Sequence, residues 1–304
     1  IPPPDWLGQQ RGWPGWRGHW QRFTRLFAWL TSHASARQGG DFAAGDRTDL
    51  RLPAEQVALI RAVAAANPRT VVVLMGGGAI LCSAWDQQVP GVLLLWYPGE
   101  QGGHALADVL FGAVSPSGRL PFSIPFREDH LPPFEPRAPR VVYDLWHGYR
   151  RLRRQGQRAA YPFGFGLSYS AFAHSEAVAV MHSAPLGAGE AGQDAARGWV
   201  ELLVTVANSG GREAAEVLQV YLEPPGLEVE RPPRILVAFQ RVGLEPGESR
   251  RLRLPIPLRR LAWFDVRRDR FVLEAGLHRL VVAPHAEAPG MTAALQLEAC
   301  LLGP

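Results

Sequence analysis

Residues 70–112 read TVVVLMGGGAILCSAWDQQVPGVLLLWYPGEQGGHALADVLFG, and this stretch decides the class of the fold. Thr70 to Met75 is an unbroken β-branched and apolar run, and Gly91 to Tyr97 is a second of the same kind. Runs without polar alternation predict strands covered on both faces, as in parallel sheets. His104 to Phe111 has helical spacing, with Gly112 just past its end, where a left-handed residue caps a helix well. Upstream, Pro53 opens a helix in which Val57, Leu59, Ile60 and Val63 recur near every turn, and Asn67-Pro68 closes it. Strand and helix alternating at this spacing predict an α/β domain with a mostly parallel sheet.

The period changes past residue 175. Trp199 to Ala207, Val217 to Leu222, Ile235 to Phe239, Leu252 to Ile256, Phe271 to Glu274 and Leu277 to Ala283 are short runs, several of them alternating. Asn208-Ser209-Gly210-Gly211 and Glu245-Pro246-Gly247-Glu248 supply turn chemistry between them. Such a series predicts an all-β sandwich of the immunoglobulin or fibronectin type III kind, with Val204, Val206, Leu218, Val220 and Val281 inside and their alternating neighbours mostly in water. The expected layout is a poorly defined, Trp-rich segment over 1–40, a partial α/β domain over 41–182, an Ala- and Gly-rich linker over 183–198 and the sandwich over 199–304.

Composition narrows the function. The chain has 304 residues, 47% of them hydrophobic, with 32 Gly and 27 Pro, which excludes a coiled coil and a disordered chain. Its net charge of +4 rests on 32 basic residues that are all Arg. A chain that writes Arg in place of Lys shows Arg clusters by chance, so the charge is no nucleic-acid signal. The densest cluster, Arg150, Arg151, Arg153, Arg154 and Arg158, reads as a solvated loop, the alternative being a phosphate or partner contact. Cys82 and Cys300 set up neither a disulfide nor a zinc framework, and Cys82 reads as core. No apolar run is long enough to span a membrane. The histidines show no metal-ligand spacing, and Gly76-Gly77-Gly78 lacks the pattern of a dinucleotide loop, so neither metal nor cofactor is implied. The chain begins Ile1-Pro2-Pro3-Pro4, so a removed leader and a removed upstream domain are equivalent readings; a periplasmic or secreted location is slightly favoured, and homo-oligomerisation is left open.

Trp96-Tyr97-Pro98-Gly99-Glu100-Gln101-Gly102-Gly103, then Ala105 to Gly112, then Ser115-Pro116-Ser117-Gly118-Arg119-Leu120-Pro121, resemble the C-terminal α/β sandwich domain of glycoside hydrolase family 3. Asp46-Arg47-Thr48-Asp49-Leu50-Arg51-Leu52-Pro53, Gly148-Tyr149-Arg150 and Pro162 to Tyr169 fall in the family's order. Val217 to Tyr221, Arg231-Pro232-Pro233, Leu236 to Phe239 and Leu244 to Glu248 are similar to the fibronectin type III-like domain of many β-glucosidases of the family. The resemblance implies retaining hydrolysis of a β-linked glucoside or oligosaccharide, with an Asp nucleophile on an N-terminal (β/α)8 barrel and an acid/base carboxylate on a loop of the second domain. Two carboxyl groups about 5 Å apart are what such chemistry requires.

Three departures follow. Nothing upstream supplies the barrel, which makes that domain an implied partner. The early strands of the α/β domain are missing, which predicts an incomplete sheet with an exposed edge. The family's acid/base Glu stands a few residues before its Asp-Arg pair, yet Leu30 to Pro53 contains no Glu and only Asp41 is near. Asp41 is therefore the acid/base candidate or an ordinary loop carboxylate; Asp46 and Arg47 line the substrate cleft or form a loop-fixing ion pair. Glu100-Gln101 is expected to play a structural part before the helix. Taken together, the chain reads as the C-terminal part of a β-glucosidase-like hydrolase, the alternative being a non-catalytic carbohydrate-contacting or assembly module.

Overall fold

A computed structural model describes residues 49–135, 138–183, 198–226 and 228–303. Residues 50–133 and 140–304 form one unit, and residues 1–49 with 134–139 another. In the described part of the latter, the Ala138 N–H donates to the Glu135 carbonyl at 3.1 Å. All else below concerns the larger unit.

Helix α1, Ala54–Ala66, starts where expected: the Pro53 carbonyl accepts from Gln56 and Val57. It ends at Asn67, whose N–H reaches the Val63 carbonyl and whose side chain accepts from the Arg69 N–H at 3.0 Å. The chain then enters β1, Val71–Leu74, which pairs in parallel with β2, Gly91–Leu94. Helix α2, Gly102–Leu110, follows, and Gly112 takes φ +78°, the left-handed cap that its position called for. Burial departs from expectation here. Val72, Leu74, Val92 and Leu94 face a small core with Val57 and Ile60 of α1, Ile80, Cys82 and Trp85. The opposite face keeps Val71 at 46% exposure, and α1 buries no residue at all. The runs look fully covered because every position is apolar, but among the described residues the sheet has only two strands and α1 covers one side.

Strands β3, Ile124–Pro125, and β4, Ala159–Tyr161, pair antiparallel across a long connection that carries helix α3, Tyr149–Arg154. The rest is a sandwich. One sheet holds β5, Phe172–His182, beside β6, Trp199–Asn208, and β9, Ser249–Pro257. The other runs β13 (Met291–Leu297), β12 (Gly276–Val282), β7 (Ala214–Glu223) and β8 (Ile235–Leu244), all antiparallel. A small third sheet joins β10, Trp263–Asp265, β11, Arg270–Leu273, and β14, Cys300–Leu302. Val200, Leu202, Val204 and Val206 of β6 meet Leu218, Val220 and Leu222 of β7 and Leu280 of β12 in a core where each is fully buried.

Two expectations are corrected. The sandwich begins at Phe172, not at 199: β5 pairs with β6 from Phe172↔Asn208 to His182↔Trp199, so residues 183–198 join two strands of one sheet. The inner face of β5 is small, Ala177 and Ala179 beside Phe172, and gives little hydrophobic signal. Val281 is buried as expected, yet with Tyr221 and Ala283 on the face opposite the main core. Strand β7 is covered on both sides because its outer face packs on Arg119, Phe163 and Gly164, so its alternating neighbours do not meet water, whereas β12 shares that cover only at Val281 and keeps Leu277 and Arg279 exposed.

Candidate functional site

In parallel sheets, ligands gather beyond the carboxyl ends of the strands, where the connecting loops converge. Here those loops are Met75 to Gly78 after β1 and Leu95 to Gln101 after β2. Trp96 adopts φ +59°, a left-handed backbone that costs an L-residue about 1 kcal/mol. Its ring packs edge-on against Phe122 at 5.5 Å between centroids. Tyr97, next in line, is turned outward and 79% exposed. Its ring lies across Gly77, where a Cβ would come within 2.5 Å of Tyr97 Cε2. Glu100 and Gln101 complete this rim and are exposed. Gln101 sits at the start of α2 without a side-chain bond to it, so the structural part expected of the pair is not a capping one.

The remaining motif residues converge elsewhere, on the junction between this part and the sandwich. Ser115 Oγ and Ser168 Oγ hydrogen-bond at 2.9 Å, the Tyr169 N–H donates to Ser115 Oγ, and the Tyr169 hydroxyl donates to the Val109 carbonyl. Leu120 exchanges backbone bonds with Gly164 and Phe165. Gly164, at φ +83°, leaves no room for a Cβ against Gln219, whose Nε2 donates to the carbonyls of Gly164 at 2.9 Å and Pro284 at 2.8 Å. Tyr221 donates to Gln219 Oε1 at 2.6 Å. Tyr149 stacks on Phe163 and accepts from the Leu236 N–H.

Arg119 and Glu216 form a buried ion pair at 2.8 Å across the same junction. Burial outweighs Arg119 and holds Glu216 above the usual carboxylate range. Glu287 is also raised by burial, opposed by the Ala159 N–H that it accepts at 3.0 Å. The Arg cluster is no free loop. Arg151 donates to the His130 carbonyl, Arg153 and Arg154 approach Glu223 and Glu230 at 3.8 and 2.9 Å, and Arg154 also covers Trp146. Cys82 is core as expected, and burial pushes its thiol up to about 12.

Asp41, Asp46 and Arg47 lie outside the described residues. Among the described residues no group of His, Cys, Asp or Glu is placed to hold a metal ion, and no helix is long and apolar enough to cross a membrane. The sequence reading passed over Tyr97 and its seat; the signal was the glycine triplet, weighed only as a nucleotide loop.

Residues 26–169 match the glycosyl hydrolase family 3 C-terminal domain, and residues 216–286 match the fibronectin type III-like domain. The chain belongs to glycoside hydrolase family 3. It is 38% identical over 250 residues to a β-glucosidase of Rhizobium radiobacter, an alignment covering 79% of this chain and 29% of that protein. It is 36% identical over 258 residues to an exo-α-(1→6)-L-arabinopyranosidase of Bifidobacterium longum, covering 83% and 32%. Among solved structures, β-glucosidase 3B from Thermotoga neapolitana in complex with α-D-glucose superposes with a TM-score of 0.74 at 30% identity, over 86% of this chain and 36% of that one. A family 3 β-glucosidase of Bifidobacterium adolescentis gives 0.71 at 33% identity, over 84% and 36%. The chain thus spans about a third of the length of the relatives it matches, their C-terminal portion.

Proposed function

We propose that this chain supplies the second and third domains of a retaining β-glycosidase acting on β-linked glucosides or oligosaccharides, and that turnover requires a (β/α)8 barrel carrying the nucleophile. The observation that carries this reading is the pairing of two adjacent family domains across most of the chain with coverage of only 29% of the β-glucosidase relative. Double displacement needs one carboxylate to attack the anomeric carbon and a second to protonate the leaving oxygen, then activate water. Asp41 is the proposed second carboxylate, with Asp46 and Arg47 lining the cleft. Asp carries its carboxyl more than an ångström nearer the backbone than Glu does, which weakens proton donation to a positioned leaving group. One of the names among the relatives is an arabinopyranosidase, so pyranosides other than glucosides belong in the substrate panel.

The test is a fusion of a related barrel ahead of this chain, assayed on β-glucosides with good and poor leaving groups. The fusion should turn over activated substrates and handle poor leaving groups slowly. Asp41→Glu should raise the rate on poor leaving groups about 10-fold, since general acid catalysis is worth two to four decades. Equal behaviour of Asp41→Glu and Asp41→Ala on both substrate types would remove Asp41 from the mechanism.

A further inference from the structure

We infer that Tyr97 is a sugar-stacking platform, taking the apolar face of a pyranose ring of an oligosaccharide substrate beyond the residue being cleaved. The inference rests on the glycosidase reading above and assigns a residue to it. Three independent features support it. Trp96 is held in a left-handed backbone, strain that persists only where its surroundings enforce it and that marks functional loops. The turn makes the next ring face outward: Trp96 anchors inward on Phe122, and Tyr97 stands 79% exposed. Gly77 brings the β1 loop directly beneath the ring, so Tyr97 is seated on backbone rather than swinging free.

What singles out this exposed ring is its position, since loops at the carboxyl ends of the strands of an open α/β sheet are where ligands bind. Its chemistry matches a pyranose, whose axial C–H groups form an apolar face and whose equatorial hydroxyls point sideways. Glu100 and Gln101, both exposed on the same loop, offer acceptors and donors to those hydroxyls. An aromatic contact of this kind is worth about tenfold in affinity.

The experiment titrates cellobiose, then methyl β-D-glucopyranoside, into the chain and follows saturation transfer from protein to sugar by NMR. Transfer to the axial protons is expected in the wild type and in Tyr97→Phe. Tyr97→Ala should weaken binding about tenfold. Gly77→Ala should weaken it comparably, because the new Cβ displaces the Tyr97 ring although no aromatic side chain has been removed. Absence of transfer in the wild type, or equal titration by wild type and Tyr97→Ala, overturns the proposal. The barrel fusion separates this from the catalytic reading. Tyr97→Ala there should raise KM for cellobiose and leave kcat on an activated aryl β-glucoside unchanged. Loss of assembly with the barrel and unchanged cellobiose affinity would make Tyr97 a domain contact instead. A fusion inactive on every substrate would defeat the catalytic reading, while the titration still decides the platform.

Discussion

Leu218 of β7 and Leu59 of α1 are the same side chain in two parts of one chain, and the first is fully buried while the second is 63% exposed. Around Leu218 the two sheets of the sandwich close on each other, and β7 is covered again on its outer face by Gly164, Phe163 and Arg119. Around Leu59 a helix lies on one side of two parallel strands, and Val63, Val71 and Met75 remain in water with it. Parallel strands are stable when both faces are covered, and this pair is not. The sandwich closes around its core, while the described α/β part keeps Leu59, Val63, Val71 and Met75 exposed; on the function proposed above, the barrel domain would cover such faces.

The largest break in that contrast comes from Leu218→Ala, which should cost about 2–5 kcal/mol by denaturant unfolding, through lost burial and the cavity left behind. A loss under about 1 kcal/mol would show the sandwich core to be loose. Arg119→Ala comes next. It strands Glu216 in the junction without its partner, and about 3 kcal/mol should be lost, as when one member of a buried pair is removed. Glu216→Gln, which keeps an acceptor for Arg119, should cost less, and a reversed order would mean that the pair contributes nothing to joining the two parts.

The response to pH sharpens the comparison within the sandwich. Burial holds His278 and His174 below the usual imidazole range, with Arg231 adding to the effect on His278 while Glu274 and the Gly276 carbonyl oppose it. The unfolded chain then binds protons that the folded one refuses, so stability is present above the ordinary imidazole value and falls as pH drops below about 6.5. Glu216 works in the other sense. Its raised folded pKa favours the folded state under acid, a contribution lost as pH rises through that value. Melting from pH 7 to pH 5 should therefore fall for the wild type, less steeply in His278→Gln and more steeply in Glu216→Gln. A flat profile would place these histidines in contact with water.

Smaller effects are expected where strands already hold the pieces together or where water already surrounds the side chain. Cleavage between Ser183 and Gly198 should leave both fragments eluting as one species, because β5 stays paired along β6 and inserts Phe172 into the core. Separate elution would restore 183–198 as a boundary between domains. Leu59→Ala should change stability by less than about 0.5 kcal/mol in the isolated chain.

Legibility in the sequence followed the range of the interactions. The ends of α1, the Gly112 cap and the turn at Glu245-Pro246-Gly247-Glu248 depend on neighbours in the chain and could be read directly. Strand β5 escaped because its core-facing residues are mostly alanine, and pairing with β6 rather than its own pattern makes it a strand. Two-sided burial of β7 could not be read, since alternation says nothing about a second layer docking from residues more than fifty positions away. For the site, the family motifs were recognisable, but several of their residues, Gly164 and Arg119 among them, contact the sandwich, which the motif alone does not disclose. Trp96 and Tyr97 stood inside a motif whose strained backbone no one-dimensional pattern reveals.

The most direct test of the contrast is hydrogen exchange on the chain alone and with a related (β/α)8 barrel polypeptide added. Amides of β6, β7 and β12 should exchange only through global unfolding in both samples, while those of β1, β2 and the middle of α1 should exchange orders of magnitude faster alone and slow markedly once the barrel is present. Equal protection of β1 and β7 in the chain alone, or no added protection of β1 and β2 with the barrel, would contradict the view that the α/β part is completed from outside.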